Sequence, residues 1–285
     1  MRIVGSLTTI PSRINNIIPV LESIVAQGEL EIIYLTIPWI FTKTQQEYII
    51  PKDVYMYNKC SIVRGQDYGP ITKITGALFS EHDPDTLIVT FDDDVIYPKY
   101  LVKSMLEKRS KYPDSAIGSS GFQIGQFPTY GSIIMNQAKN NNMWFNPYVP
   151  EKGLNVDILA GYAGAMYKRG YFPPIEKIQT FLYYPINHSL LYINDDVFIS
   201  AWLSSQEIQR RVFKLPEVTL RSTSQKDGLS TLVIPFCLNF IRAIRQCFSL
   251  GLMKSNVSIT WYSTITAIPL LIFFIFFLYA RMLIV

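Results

Sequence analysis

The chain is poor in the residues that build soft-metal sites and covalent staples. Its 285 residues include only two histidines and three cysteines. Cys60, Cys237 and Cys247 are odd in number and nowhere form a CxxC pair. That argues against a disulfide framework or a zinc site, and for reduced, cytosol-facing thiols. No internal repeat or low-complexity stretch stands out. The opening MRIVGSLTTI has too short an apolar run for a signal peptide and reads as a first β-strand.

A uniform excess of positive charge is also missing. The net charge is +4, but residues 207–254 hold eight Lys/Arg against three acids and Arg281 adds one more cation, so residues 1–206 sum to about −2. A nucleic-acid binder is not charged this way. A near-neutral catalytic body beside a basic segment at a membrane is. Ser255 to Ala280 contains no charged residue, and Ile265 to Ala280 is almost wholly apolar. About 20 apolar residues cross a bilayer as a helix, although a buried core helix or an interfacial hairpin would use the same residues. Spanning is the expectation, because Phe273, Phe274, Phe276 and Phe277 leave no polar face. The flanking cations on the N-terminal side then put the catalytic domain in the cytosol. The expected division is a catalytic domain over 1–225, a basic juxtamembrane or amphipathic segment over 226–258 and a transmembrane helix over 259–281.

In the first half, strand and helix patterns alternate. Strands are expected at Ile3–Leu7, Glu31–Ile37, Cys60–Arg64 and Leu87–Phe91, and helices at Ile14–Gln27, Ile71–Phe79 and Tyr100–Lys108. This is the α/β pattern of a mostly parallel, Rossmann-like sheet flanked by helices, with ligands beyond the carboxyl ends of the strands. Residues 123–150 are rich in Asn, Gly, Tyr and Pro and read as long loops. There Tyr130, Trp144, Phe145 and Tyr148 could stack on sugar faces or simply pack.

Five constellations bear on chemistry. The apolar strand Leu87–Phe91 ends abruptly in Asp92, Asp93 and Asp94. Three adjacent carboxylates repel one another, and a divalent cation relieves that. Mg²⁺ or Mn²⁺ takes one or two carboxylates plus phosphate oxygens, so Asp92 and Asp94, spaced D-x-D, are the expected ligands. The plain alternative is a solvated acidic turn. The second constellation runs from Arg64 through Asp67, Gly69 and Pro70 to Lys73, between a strand and a helix. A helix N-terminus favours an anion, and Lys73 could reach a phosphate or stay in solvent. Thr8-Thr9-Ile10-Pro11-Ser12-Arg13 suits a base and a diphosphate, or an N-cap. Asn194-Asp195-Asp196 heads an amphipathic helix, either as a cap or as the carboxylate that takes a proton from an acceptor hydroxyl. In the fifth, Val156–Ala165, small residues such as Gly161 admit a sugar and Asp157 could hold a hydroxyl. Tight packing is the alternative.

Read together, SLTTIPSRI, DYGPITK, FDDDVIYP, AGYAG and NDDVFIS resemble, in order and spacing, the GT-A glycosyltransferases. They are most similar to the branch typified by the chlorella-virus enzyme that builds capsid-protein glycans. The resemblance covers about residues 1–215. It implies that Thr8, Pro11 and Arg13 frame the nucleotide base, and that Arg64, Asp67 and Lys73 hold the nucleoside and diphosphate. Asp92 would face the ribose, Asp93 the donor sugar and Asp94 the metal. Asp196, beside Asp195, would be the base of an inverting displacement. The implied partners are a nucleotide-sugar donor, UDP by default, and a glycan or glycoprotein acceptor, with no nucleic acid. Many GT-A enzymes add a late histidine ligand. Here His82 and His188 both precede the second acidic motif, which leaves water or the Ser222–Ser230 segment to complete the shell, with Lys226 over the diphosphate. A sugar nucleotidyltransferase is the alternative enzyme, but Gly5–Arg13 lacks its glycine-rich loop. A tethered lectin-like module is the non-catalytic alternative.

Overall fold

A computed structural model describes residues 1–122, 151–220 and 233–253. The aromatic loop residues, Ser222–Ser230 and the expected span lie outside the described residues. Eight strands form the main sheet: β1 (Ile3–Thr8), β2 (Ile32–Pro38), β3 (Cys60–Gly65), β4 (Leu87–Thr90), β5 (Ser115–Gly118), β6 (Leu154–Val156), β7 (Ala165–Lys168) and β8 (Gln209–Val212). Their order is β6-β8-β5-β7-β4-β1-β2-β3. Only β6 and β7 run against the rest, so the sheet is mostly parallel, as the alternating pattern implies.

Helix α1 spans Ile18–Val25, α2 Thr72–Ser80, α3 Leu101–Arg109, α4 Ile178–Asn187, α5 Asp195–Ser205 and α6 Val233–Ser249. They bury the sheet from both sides. Ile3 and Leu7 of β1 point into the core under α1 and α3, while Val4 points into the core shared with α2, α4, α5 and α6. All four residues of β4 are buried, as expected of a strand covered on both faces.

Two elements differ from expectation. The helix expected over residues 14–27 is split into a 3₁₀ turn at Ile14–Asn16 and α1, whose first turn holds Pro19. Proline has no N–H for a continuous helix but fits a first turn. Helix α5 is not amphipathic: Asp195, Val197 through Ala201 and Leu203 are all buried. It packs between the Ile158–Leu159 strand and α6, so little of it beyond Asp196, Trp202, Ser204 and Ser205 reaches solvent.

Part of the basic segment expected over 226–258 is α6, which buries Phe240, Ala243, Ile244 and Cys247 in the core while Arg242 faces out. Among the described residues no helix is long and apolar enough to cross a membrane. The Cys60 and Cys247 thiols are free, and burial pushes them up to about 11 and about 12.

The chain lays β2 and β3 to one side of β1 and then returns to place β4 on the other. The strand order therefore reverses at β1 and β4. A crevice opens at the carboxyl ends of such a pair. The segment after β1 holds Thr9 and Arg13, and the segment after β4 holds the three aspartates.

Candidate active site

Where β4 ends, its carboxylates splay apart, each toward a partner in the chain. Asp93 is buried and accepts hydrogen bonds from Thr9 Oγ1 and Arg13 Nη1, both at 2.7 Å. The same guanidinium nitrogen lies 3.2 Å from Asp94 Oδ2. Asp92 turns the other way and accepts from Lys73 Nζ at 2.6 Å. Lys73 is buried in the first turn of α2. Ser6 Oγ of β1 donates to the Lys73 carbonyl at 2.6 Å and so anchors that turn to the sheet.

Lys73 also joins the two acidic motifs. Its Nζ lies 2.9 Å from Asp195 Oδ2, an ion pair whose angle falls outside a hydrogen bond. Burial works against the ammonium, but Asp195, Asp92 and Asp196 together outweigh it, so Lys73 holds its proton more tightly than usual. Asp195 and Asp196 occupy the first turn of α5, where the helix dipole favours negative charge. Asn194 occupies the N-cap position and spends its side chain on the Leu190 carbonyl.

Asp196 keeps part of its surface open. Desolvation by the surrounding atoms, then Asp195, push its carboxyl up to about 7, while Lys73 and, less strongly, the backbone N–H of Gly161 hold it down. A Cβ on Gly161 would stand 2.9 Å from Asp196 Oδ1 and 3.6 Å from Lys73 Nζ. Gly161 thus lies directly against the Asp196 and Lys73 side chains. Asp157 has Arg210 of β8 as its electrostatic partner.

The other expected residues sit on the rim toward β2 and β3. Thr8 Oγ1 donates to the Thr36 carbonyl at 2.8 Å, and Pro11 is partly exposed. The Arg64 guanidinium lies 4.6 Å from the ring centre of the exposed Trp39. Asp67 accepts from the backbone N–H groups of Thr42 and Gly69, each at 2.8 Å. His188 is bonded through Nδ1 to Gln246 at 3.0 Å, and His82 is exposed.

Arg13 and Lys73 supply from within the chain part of the cation that the acidic triplet requires. Five carboxyl groups still face these two cations. Burial, then Asp92 and Asp93, push Asp94 up to about 6, against the opposing pull of Arg13 and Lys73. Among the described residues no three His, Cys, Asp or Glu converge as a complete ligand set. Asp92 and Asp94, each already paired to Lys73 or Arg13, are the carboxylates that would offer oxygens to a Mg²⁺ or Mn²⁺ taking its other ligands from phosphate and water.

Three contributors escape a reading by residue type. Thr9 and Tyr97 lie inside the motifs, but nothing in the sequence says that Thr9 serves Asp93 or that the Tyr97 hydroxyl turns inward. Tyr192 packs its ring on Gly69, whose φ of +74° only glycine adopts freely.

Neither protein-family models nor curated protein sequences match the chain. Solved structures do. Residues 1–349 of TarS from S. aureus match with a TM-score of 0.51 at 10% identity, over 90% of this chain and 67% of that one. Mannosyltransferase PcManGT from Pyrobaculum calidifontis, solved with GDP-Man and Mn²⁺, matches with 0.50 at 13% identity, over 90% and 66%. The chain thus spans about two thirds of their length. At such low identity the likeness is one of fold, and the fold is GT-A-like.

Proposed function

We propose that the chain is a metal-dependent glycosyltransferase that moves a sugar, most simply a hexose, from a nucleotide-diphosphate donor to a glycan or glycoprotein hydroxyl with inversion. The observation that carries this reading is Lys73, whose one ammonium contacts both Asp92 and Asp195. It brings the donor-type acids after β4 and the base-type acids of α5 into a single charged cluster at the sheet's switch point. The fold shared with a mannosyltransferase that binds GDP-Man and Mn²⁺ supports the same class.

In this reading Asp196 takes the proton of the acceptor hydroxyl. A carboxyl near neutrality combines basicity with ionisation at working pH. The acceptor oxygen bonds to the anomeric carbon, the bond from that carbon to the diphosphate oxygen breaks, and its electron pair leaves with the nucleoside diphosphate. Asp195 fixes Lys73, and Arg13 fixes Asp93 and Asp94. Bound Mg²⁺ or Mn²⁺ would neutralise the diphosphate as it leaves. Thr8, Pro11, Arg64 and Asp67 line the nucleoside side, and Gly161 and Asp157 the sugar and acceptor side. UDP is the first nucleotide to try.

The order of the five motifs supports the chlorella-virus-like branch and hence a glycoprotein acceptor. The uncharged run of residues 255–280 supports a membrane anchor there, with the catalytic domain in the cytosol.

Product identity tests the class. With Mn²⁺ and UDP-glucose, UDP-GlcNAc or GDP-mannose, a transferase releases the nucleoside diphosphate. Release of pyrophosphate would instead establish a nucleotidyltransferase, and sugar binding without turnover a lectin-like module.

A further inference from the structure

Tyr97 lies beyond the aspartates and is 3% exposed. Its hydroxyl accepts the backbone N–H of Asp92 at 2.7 Å and donates to the Tyr162 carbonyl at 2.9 Å. The first of these groups belongs to the turn where the chain leaves β4, and the second to the Gly161–Gly164 turn, closed by the Gly164 N–H on the Gly161 carbonyl at 2.9 Å. One hydroxyl therefore bridges two separate turns. On one side is Asp92, paired with Lys73. On the other is Gly161, whose N–H faces the Asp196 carboxylate.

The ring is fixed independently of that hydroxyl. It packs edge-on against Phe91 with centroids 4.7 Å apart, and the Tyr97 backbone N–H donates to Ser23 Oγ of α1 at 3.1 Å. A phenylalanine would keep both contacts and lose only the bridge. Backbone groups shielded from water are nearly always satisfied, and here one side chain satisfies two part-buried ones on separate turns.

We propose that Tyr97 is a positioning residue for this site, its hydroxyl holding the Asp92 turn and the Gly161 loop at the spacing that transfer requires. This rests on the glycosyltransferase reading. Tyr97 touches no reacting atom. It acts through Asp92 and Gly161 on the distance between donor phosphate and acceptor base, a distance to which rates are steeply sensitive.

The test is Tyr97→Phe in the full chain, with nucleoside diphosphate release measured from UDP-glucose, UDP-GlcNAc and GDP-mannose with Mn²⁺, alongside a melting curve. The expected result is a kcat about tenfold to a hundredfold lower, with donor KM within about twofold and Tm lower by only a few degrees. A variant as active as the native chain would overturn the proposal. So would a variant whose KM rises as far as kcat falls, or whose Tm drops by more than about 10 °C, because either marks a general structural role. If the native chain turned over none of the three donors, the transferase reading would fall first and this proposal with it.

Discussion

Asp94 and Asp196 both have carboxyls raised by burial, to about 6 and about 7. An acid raised on folding binds its proton more tightly folded than unfolded, so it favours the fold at low pH. That contribution is complete below about pH 4, the unfolded carboxyl value, and is lost as pH climbs through the folded values. Between them the free protein loses stability. Asp94→Asn removes one charge from the cluster, and its Tm at pH 8 is expected to exceed the native value by about 2–4 °C. Melting curves at pH 5 and pH 8 decide this, and an equal or lower Tm at pH 8 refutes the charge argument. For Asp196→Asn the expectation is kinetic. Transfer should fall by about 10²–10⁴ with donor affinity kept, and the native kcat/KM should lose activity below about pH 7 as Asp196 takes up its proton. Titrating donor by calorimetry against the variant separates lost chemistry from lost binding.

The elements around β4 were legible in the sequence because burial writes itself directly. Leu87, Ile88, Val89 and Phe91, interrupted only by Thr90 and followed by three aspartates, mark a covered strand whose end faces a ligand. The site between elements was less legible. Lys73 reads as a lysine free for phosphate, because the Asp195 that holds it follows 122 residues later. Only the packing of α5 against the core brings the two together. The same packing erased the amphipathic pattern expected of α5. Arg13 likewise reads as a diphosphate ligand, and only the adjacency of β1 and β4 shows it paired to Asp93. At this scale Gly69→Ala is informative. A Cβ there would lie 2.8 Å from the Tyr192 ring at a φ of +74°. The expected loss is about 1–3 kcal/mol, measured by urea unfolding, with the α2 start and Lys73 displaced. No loss in stability would show that Tyr192 is free to move away.

For the molecule as a whole, the question is where the folded body stops. The basic segment looked in sequence like a membrane-side extension, yet α6 places Phe240, Ala243, Ile244 and Cys247 in the same core as α2 and α5, with Leu252 and Met253 beside them. Burying each large apolar side chain contributes about 1.5–3 kcal/mol, and their joint loss is comparable to the whole margin of a typical domain. A chain ending at residue 253 is expected to melt cooperatively. One ending at residue 225 is expected to aggregate, and a cooperative melt from it would contradict the packing of α6.

The central claim is that the acids of β4 and α5 form one metal-dependent transfer site. The most direct measurement is product release from a UDP- and GDP-sugar panel by the native chain and by Asp94→Ala, each with Mn²⁺ and with EDTA. The account predicts nucleoside diphosphate from the native chain with Mn²⁺, little with EDTA, and little from Asp94→Ala under either condition while its melting curve stays cooperative. Full release from Asp94→Ala in EDTA would contradict it.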